Sequence, residues 1–192
     1  MARSINGGKS FAIIQGLVQH IQPSPAQTLH LDHCELWINP TNPDHIAVGN
    51  DGGLYVSYDK GDNWLHHNNI PAGEFYDITL DNQKPYNIYG GLQDNATVYG
   101  PAKEWNASRT DQWKYLWIDP WSGGDGCVTE VDPNDPNTVY FSRQHGDGLR
   151  KDMAADTSKT IGPSRTKISK ENKLRYNFVS PYIISPHNPK TL

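Results

Sequence analysis

The side chains of this 192-residue chain that could do chemistry collect in short turns rich in Asn, Asp and Gly. Carboxylates in such turns can accept hydrogen bonds from hydroxyls, hold cations or transfer protons. The candidates for general acid and base work are Asp51, Asp94 and Asp125. The candidate binding residues are these three carboxylates together with His33, Gln93, Asn95, His145 and Trp121. The pattern predicts a hydrogen-bonding site with an exposed ring, and neither a cofactor nor a metal ion is expected.

The same residues also fit a purely structural interpretation. Asp and Asn beside Gly are ordinary residues of hairpin turns, where they satisfy local backbone groups. This applies to Asn50-Asp51-Gly52, to Asp94-Asn95 and to the turn around His145. By contrast, His33 and Asp125 stand where a strand is predicted to begin, which favours a role toward a ligand. Both interpretations stay open at the level of sequence.

A repeated segment predicts the elements that position these residues. Each copy has a short apolar run, a turn rich in Asn, Asp and Pro, and a second apolar run, which together indicate two strands and a tight turn. A shared proline marks the four copies at Pro43, Pro85, Pro136 and Pro189. The copies recur at roughly forty to fifty residues, which gives room for four strands per repeat. The chain is therefore predicted to be all-β.

A second signature lies between the copies. It has Ser, Asp or Asn, Gly and an aromatic residue at its first, third, fifth and eighth places. It occurs as Ser4, Asn6, Gly8 and Phe11, and again as Ser57, Asp59, Gly61 and Trp64. The carboxylate or amide can hold the turn's own backbone amides, the glycine can adopt a conformation closed to other residues, and the ring can fill the space beneath the hairpin. We therefore interpret these eight residues as structural.

The signature resembles the Asp-box of the bacterial neuraminidase repeat family. Segments such as Asp32-His-Cys-Glu-Leu-Trp-Ile-Asn-Pro and Gly123-Gly-Asp-Gly are similar to secreted bacterial proteins described as glycosyl hydrolase or sortilin-like. The resemblance implies a β-propeller of four-stranded antiparallel blades. It also implies an extracellular or periplasmic parent protein. Because members of the superfamily include hydrolases and receptors, the fold alone does not set the chemistry.

The repeats divide the chain into one partial propeller. Three whole blades are expected at about 30–68, 74–118 and 125–162, with half blades at about 1–22 and 176–192. We expect an interior piece of a larger propeller, although a four-bladed ring closed by strand exchange, or an eight-bladed ring of two chains, stays open. The unpaired strands at the open blade edges predict self-association.

Strand direction sorts the loops onto two faces. In an antiparallel blade, the loop before the first strand and the hairpin between the second and third strands emerge together, on what we call the hairpin face. The proline turns and the Asp-boxes lie on the opposite face. The hairpin face, at the mouth of the expected channel, carries Asp32, His33, Asn50, Asp51, Glu74, Phe75, Tyr76, Gln93, Asp94, Asn95, Asp125, Gln144, His145 and Asp147.

Composition narrows the function classes. The charge of −4, from 17 basic and 21 acidic residues spread along the chain, argues against a nucleic-acid partner. Neither a membrane helix nor a signal peptide is expected. Cys34 and Cys127 are expected to be small buried side chains, and Trp37 is expected in the core between blades. We expect an extracytoplasmic binding or scaffold module for a carbohydrate or a peptide. The alternative is an endoglucanase-like glycoside hydrolase that uses the hairpin-face carboxylates.

Overall fold

The computed structural model describes residues 1–14, 29–30, 32–67, 69–70, 72–103, 112–117, 124–162 and 176–192. Over these ranges the chain forms fourteen strands and one turn of 3-10 helix at Gln144–Gly146, with no α-helix. Within the same ranges, no helix has the length and apolar character needed to cross a membrane. The chain divides into two compact units, Met1–Ala72 and Gly73–Leu192.

The strands pair in chain order. The first unit contains a two-stranded sheet of β1 (Ala2–Arg3) and β2 (Ala12–Ile13), and a four-stranded sheet of β3 (His33–Ile38), β4 (Ile46–Asn50), β5 (Gly53–Ser57) and β6 (Leu65–His67). The second unit contains one sheet of β7 (Phe75–Leu80), β8 (Asn87–Leu92), β9 (Thr97–Pro101) and β10 (Lys114–Trp117), and another of β11 (Gly126–Val131), β12 (Thr138–Arg143), β13 (Asp147–Asp152) and β14 (Thr157–Thr160). All pairs are antiparallel. Over the described residues the chain is thus all-β, and three of its four sheets are four-stranded antiparallel sheets of the propeller-blade type.

The repeated proline turn is a structural repeat. In each copy, the backbone N–H of the first turn residue donates to the carbonyl of the last one. The pairs and their N···O distances are Asn39–His45 at 3.0 Å, Asp81–Asn87 at 3.2 Å, Asp132–Thr138 at 3.0 Å and Ser185–Thr191 at 2.9 Å. In all four copies the side chain of the first residue also accepts from the amide two residues on. Asn and Asp recur there because their side chains can close the turn locally.

The last copy of the repeat does not build the expected half blade. Residues 176–192 contain the turn but no assigned strand. The carbonyl of Phe178 instead accepts a 2.8 Å hydrogen bond from the His145 amide, and the Tyr182 hydroxyl donates to the Val128 carbonyl at 3.1 Å. These bonds tie the segment to the β11–β14 blade as a strap and do not form a β-ladder.

Apolar side chains form a core in each unit. The first core contains Leu29, Ile46, Val48, Tyr55 and Trp64, and the second contains Tyr89, Leu116, Val131, Val139 and Phe141. Two sequence expectations were wrong here. Trp37, expected in the core between blades, is 47% exposed on β3 and lies edge-on to the His45 ring at 5.3 Å. Cys34 is also exposed, since all six residues of β3 are exposed, whereas Cys127 is buried.

The turn from Ser57 to Trp64 is closed by its own side chains. The Ser57 hydroxyl accepts from the Gly61 amide at 2.8 Å, and Asp59 accepts from the amide and the side chain of Asn63 at 2.8 and 2.7 Å. Gly61 has a φ of +90°, a region that favours glycine. The Trp64 ring is buried, and its indole N–H donates to the Gly61 carbonyl at 3.0 Å.

The first copy of this turn keeps the hydrogen bonds but not the buried ring. Asn6 accepts from the Ser10 amide at 2.9 Å, and Ser4 accepts from the Gly8 amide at 2.8 Å. Phe11, expected to fill the space beneath the hairpin, is 67% exposed. The physical reason is that β1 and β2 form a sheet of two short strands, which offers little surface for a ring to cover.

We expect Asp59→Asn to remove a pH-dependent contribution of this turn to stability. Hydrogen bonds, first among them that from the Asn63 side chain, lower the pKa of Asp59 below its ordinary 3.8. The stabilisation is therefore present above that value and is lost as the pH falls through the lower folded pKa. Urea unfolding followed by tryptophan fluorescence should give the wild type a higher free energy of unfolding than the variant at about pH 7. The two values should converge at about pH 2.

Asp62→Asn provides the matched control for this experiment. Asp62 lies in the same turn, but its carboxylate pairs with Arg3 at 3.0 Å and does not hold the turn's amides. An Asp59→Asn deficit of the same size at both pH values would show that the charge of Asp59 plays no part. Asn6 shows that the turn tolerates an amide at this position.

Candidate functional site

The hairpin face of the second unit is organised around Asp125. This carboxylate is 4% exposed and lies just before β11. Its Oδ1 accepts from the Tyr76 hydroxyl at 3.1 Å and from the Asp94 amide at 3.2 Å, and its Oδ2 accepts from the Gln144 side-chain amide at 2.5 Å. Asp125 therefore joins the start of β7, the β8–β9 hairpin and the β12–β13 turn.

The β8–β9 hairpin is shaped by left-handed residues. Asp94 has a φ of +51° and Ala96 a φ of +62°. The Ala96 amide donates to the Gly124 carbonyl at 2.9 Å, and Ala96 and Asp125 form an isolated parallel bridge. Asp is among the residues that tolerate this conformation best, so the turn chemistry expected for Asp94 is present alongside its place in the site.

Close approach of two backbones brings these loops together. β11 packs against β7 and β8. A Cβ atom placed on Gly91 would lie 2.2 Å from the Gly126 carbonyl oxygen, and one placed on Gly126 would lie 2.2 Å from the Ala96 carbonyl oxygen. Glycine is required at both positions because only hydrogen fits in that space.

The Tyr76 phenol is held as a hydrogen-bond donor. Burial, and next the charge of Asp125, raise the pKa of Tyr76 well above its usual 10.0. The phenol therefore keeps its proton across the physiological range, in agreement with its hydrogen bond to Asp125. The same two causes raise the pKa of the Cys127 thiol to about 12, so this sulfur is an inert donor, 3.9 Å from the Phe178 carbonyl.

Three aromatic rings lie beside Asp125 and its hydrogen-bond partners, which we call the Asp125 hub. The Phe178 ring lies 5.4 Å from the His145 ring and 6.2 Å from the Tyr76 ring, both in edge-to-face geometry. His145 has a φ of +61°, and its amide donates to the Phe178 carbonyl. The strap (residues 176–192) thus carries the Phe178 ring into the site. The residues next to Phe178 in sequence do not predict this position.

An ion pair lies on this face. Arg143 forms an ion pair with Asp147 across the β12–β13 turn. The Arg143 guanidinium also lies 4.8 Å from the centre of the Trp117 ring, a cation–π distance. Arg143 and Asp147 therefore neutralise each other, and among the described residues the remaining charge of this face comes from the carboxylates of Glu74, Asp94 and Asp125.

The hairpin face of the first unit has its own polar turn. Asp51 lies in the β4–β5 hairpin, where Asn50 accepts from the Gly52 amide at 2.9 Å. A carboxylate oxygen of Asp51 and one of Asp32 lie within 4.8 Å of each other. His33 opens β3 opposite Asn50, and partial desolvation lowers the pKa of its imidazole.

The structure therefore brings together part of the predicted site. Within the second unit it gathers Gln93, Asp94, Asn95, Asp125 and His145, whereas His33 and Asp51 belong to the first unit. Trp121 lies outside the described residues. Sequence reasoning did not select Tyr76 and Gln144 as binding residues, although it placed them on the right face, and it missed Phe178 completely. No local pattern marks Phe178, because its partners are remote in sequence.

The comparisons with known proteins identify no family for this chain. No family model matches the chain, and no curated protein matches it. Among solved structures, the chain is similar to an ancestral GH74 enzyme at 16% identity and a TM-score of 0.36, over 86% of this chain and 22% of that one. The chain thus spans about a fifth of the length of that enzyme.

Proposed function

We propose that this chain is an extracytoplasmic binding and scaffold module of the Asp-box propeller type, which holds a carbohydrate or peptide ligand on its hairpin face. The hydrogen bonding of Asp125 is the observation that carries the proposal. Its buried carboxylate accepts three hydrogen bonds and so fixes Tyr76, Gln144 and the loop at Asp94. A carboxylate committed in this way builds a rigid surface, and rigid surfaces bind at a lower cost in entropy.

The assignment to the Asp-box type is supported by local geometry. The turns at 4–11 and 57–64 share the same side-chain hydrogen bonds from Ser and from Asp or Asn. The extracytoplasmic location comes from the resemblance to secreted proteins. We also propose self-association through open blade edges such as β14, whose four residues are all exposed. The net charge of −4 favours neither nucleic acid nor an anionic membrane as a partner.

Glycoside hydrolysis is the second candidate, and one observation favours it. Burial, and next the neighbouring Asp77, raise the pKa of Glu130. A carboxyl group that holds its proton longer suits the role of general acid, which hydrolysis needs beside a second carboxylate. Glu130 lies near the end of β11, two residues before Asp132 opens the proline turn, so this acid would act at the other end of the strand from Asp125.

Titration of the 192-residue chain with hexasaccharides and short peptides tests the proposal. The probes are cellohexaose, xylohexaose, mannohexaose and sets of acidic, basic and apolar tetrapeptides, with calorimetry for affinity and a reducing-end assay for turnover. We expect binding without turnover. Asp94→Asn, which keeps the left-handed turn, should weaken binding by about threefold to tenfold through the loss of one charged acceptor.

Asp135→Asn is the matched control because Asp135 accepts turn hydrogen bonds on the opposite face, from the Asn137 amide at 3.1 Å. Its affinity should equal that of the wild type. Turnover of any hexasaccharide, abolished by Asp94→Asn with affinity unchanged, would replace the binding proposal with the hydrolase. Absence of binding to every probe would refute the proposal.

A further inference from the structure

Phe178 is the feature that the proposed function leaves unused. Its side chain is 45% exposed, although it lies within ring contact of Tyr76 and His145. Exposed aromatic rings are common, so exposure alone carries nothing. The position of this ring beside a hydrogen-bonded polar cluster is the informative observation, since ligand sites combine apolar surface with a few fixed polar groups.

The backbone beneath the ring is fixed from two sides. The Phe178 carbonyl accepts from the His145 amide at 2.8 Å and from the Cys127 thiol at 3.9 Å. The Tyr182 hydroxyl holds the same strap to β11 through the Val128 carbonyl at 3.1 Å. A phenylalanine has two side-chain torsions, so a ring on a fixed backbone loses little conformational freedom when a ligand covers it.

The polar groups around the ring are amides, a phenol and carboxylates, all of which pair with hydroxyls. Amide side chains, which carry both donors and acceptors, lie on the same face at Gln93, Asn95 and Gln144. The Tyr76 phenol keeps its proton, and Arg143 and Asp147 neutralise each other. A ligand with hydroxyls at its edge and an apolar C–H face would match this arrangement, since amides and the carboxylates of Asp94 and Asp125 pair with hydroxyls, whereas an acidic peptide would meet carboxylates of its own sign.

We infer that the Phe178 ring, with the His145 and Tyr76 rings behind it, is a stacking platform for a pyranose unit, and that the ligand of this face is a neutral carbohydrate. The inference rests on the proposed binding function and names its ligand class. The C–H face of the sugar lies on the Phe178 ring, and its hydroxyls hydrogen-bond with the amides that surround Asp125. Phe178 is thereby a binding residue carried by the strap.

Phe178→Ala tests the platform, with the same three hexasaccharides as probes. We expect affinity to fall by about tenfold or more, and Phe178→Tyr to restore it to within about twofold, because the ring is kept. Ile183→Ala is the matched control, since Ile183 is 67% exposed on the same C-terminal segment. It should bind like the wild type. In proton NMR of the wild-type complex, ring C–H signals of the bound sugar should move upfield.

The outcomes separate this inference from the proposed function. Equal hexasaccharide affinity of Phe178→Ala and the wild type, or a complex without upfield sugar signals, overturns the platform but leaves the binding module standing. Binding of tetrapeptides alone also overturns the carbohydrate inference and supports the module. Absence of all binding overturns both. The NMR measurement uses the wild type, so the test does not depend on the folding of any variant.

Discussion

Replacing Asp125 with alanine is expected to lower the free energy of unfolding by about 3 kcal/mol or more. The substitution leaves the Tyr76 hydroxyl, the Asp94 amide and the Gln144 amide without the carboxylate that they share. Leaving buried donors without a charged acceptor is among the costlier effects of a single substitution on the free energy of unfolding. Water does not replace the acceptor at a site that is 4% exposed. Urea unfolding followed by tryptophan fluorescence gives the measurement.

Asp125→Asn is expected to lower the free energy of unfolding by less, about 1 to 2 kcal/mol. With the amide oxygen in the place of Oδ1, it still accepts from the Tyr76 hydroxyl and the Asp94 amide, but the new N–H₂ group then faces the Gln144 side-chain amide, donor against donor. Asp156→Asn is the control, since Asp156 is exposed and pairs with Lys151 at 2.6 Å at the surface. It should unfold like the wild type. Equal stability of Asp125→Ala and Asp156→Asn would remove Asp125 from the centre of the site.

Sequence patterns predicted the local elements of this fold well. The proline turns were found because Asn39, Asp81 and Asp132 close them with bonds to residues near in sequence. The position of the Trp64 ring was predictable for the same reason, since its indole donates within its own turn. Such features are encoded in a few adjacent residues, so a single chain shows them without any knowledge of its tertiary structure.

The features that were missed depend on contacts between remote residues. Tyr76 and Asp125 are 49 residues apart, and Cys127 and Phe178 are 51 apart. Neither partner carries a local sign of the other. The exposure of Trp37 and Phe11 has the same origin, because burial of a ring depends on which sheet face covers it and not on its own sequence neighbours. The hairpin face and the candidate Asp125 were predictable from the sequence, but the partners Tyr76, Gln144 and Phe178 were not.

Gly91→Ala is expected to cost about 2 to 4 kcal/mol of unfolding free energy, and with it the arrangement of the hairpin face. The added methyl group would stand 2.2 Å from the Gly126 carbonyl oxygen and 2.4 Å from that of Cys127. Both are backbone atoms of β11, which its ladder with β12 holds in place, so no side-chain rotation can relieve the contact. β8 and β11 must move apart, and the hydrogen bond from Asp94 to Asp125 is lost with their contact.

The repeat supplies an unusually close control at Gly49. Gly49 in β4 corresponds to Gly91 in β8, because each lies at the same distance beyond the first residue of its proline turn, Asn39 or Asp81. A Cβ atom at Gly49 meets nothing within 4 Å. Gly49→Ala should therefore change stability by less than about 0.5 kcal/mol. If the two substitutions have equal effects, the cost is a property of alanine in a propeller strand. A large loss at Gly91 alone instead shows that the approach of β8 to β11 positions the Asp125 hub, and hexasaccharide affinity should then fall with it.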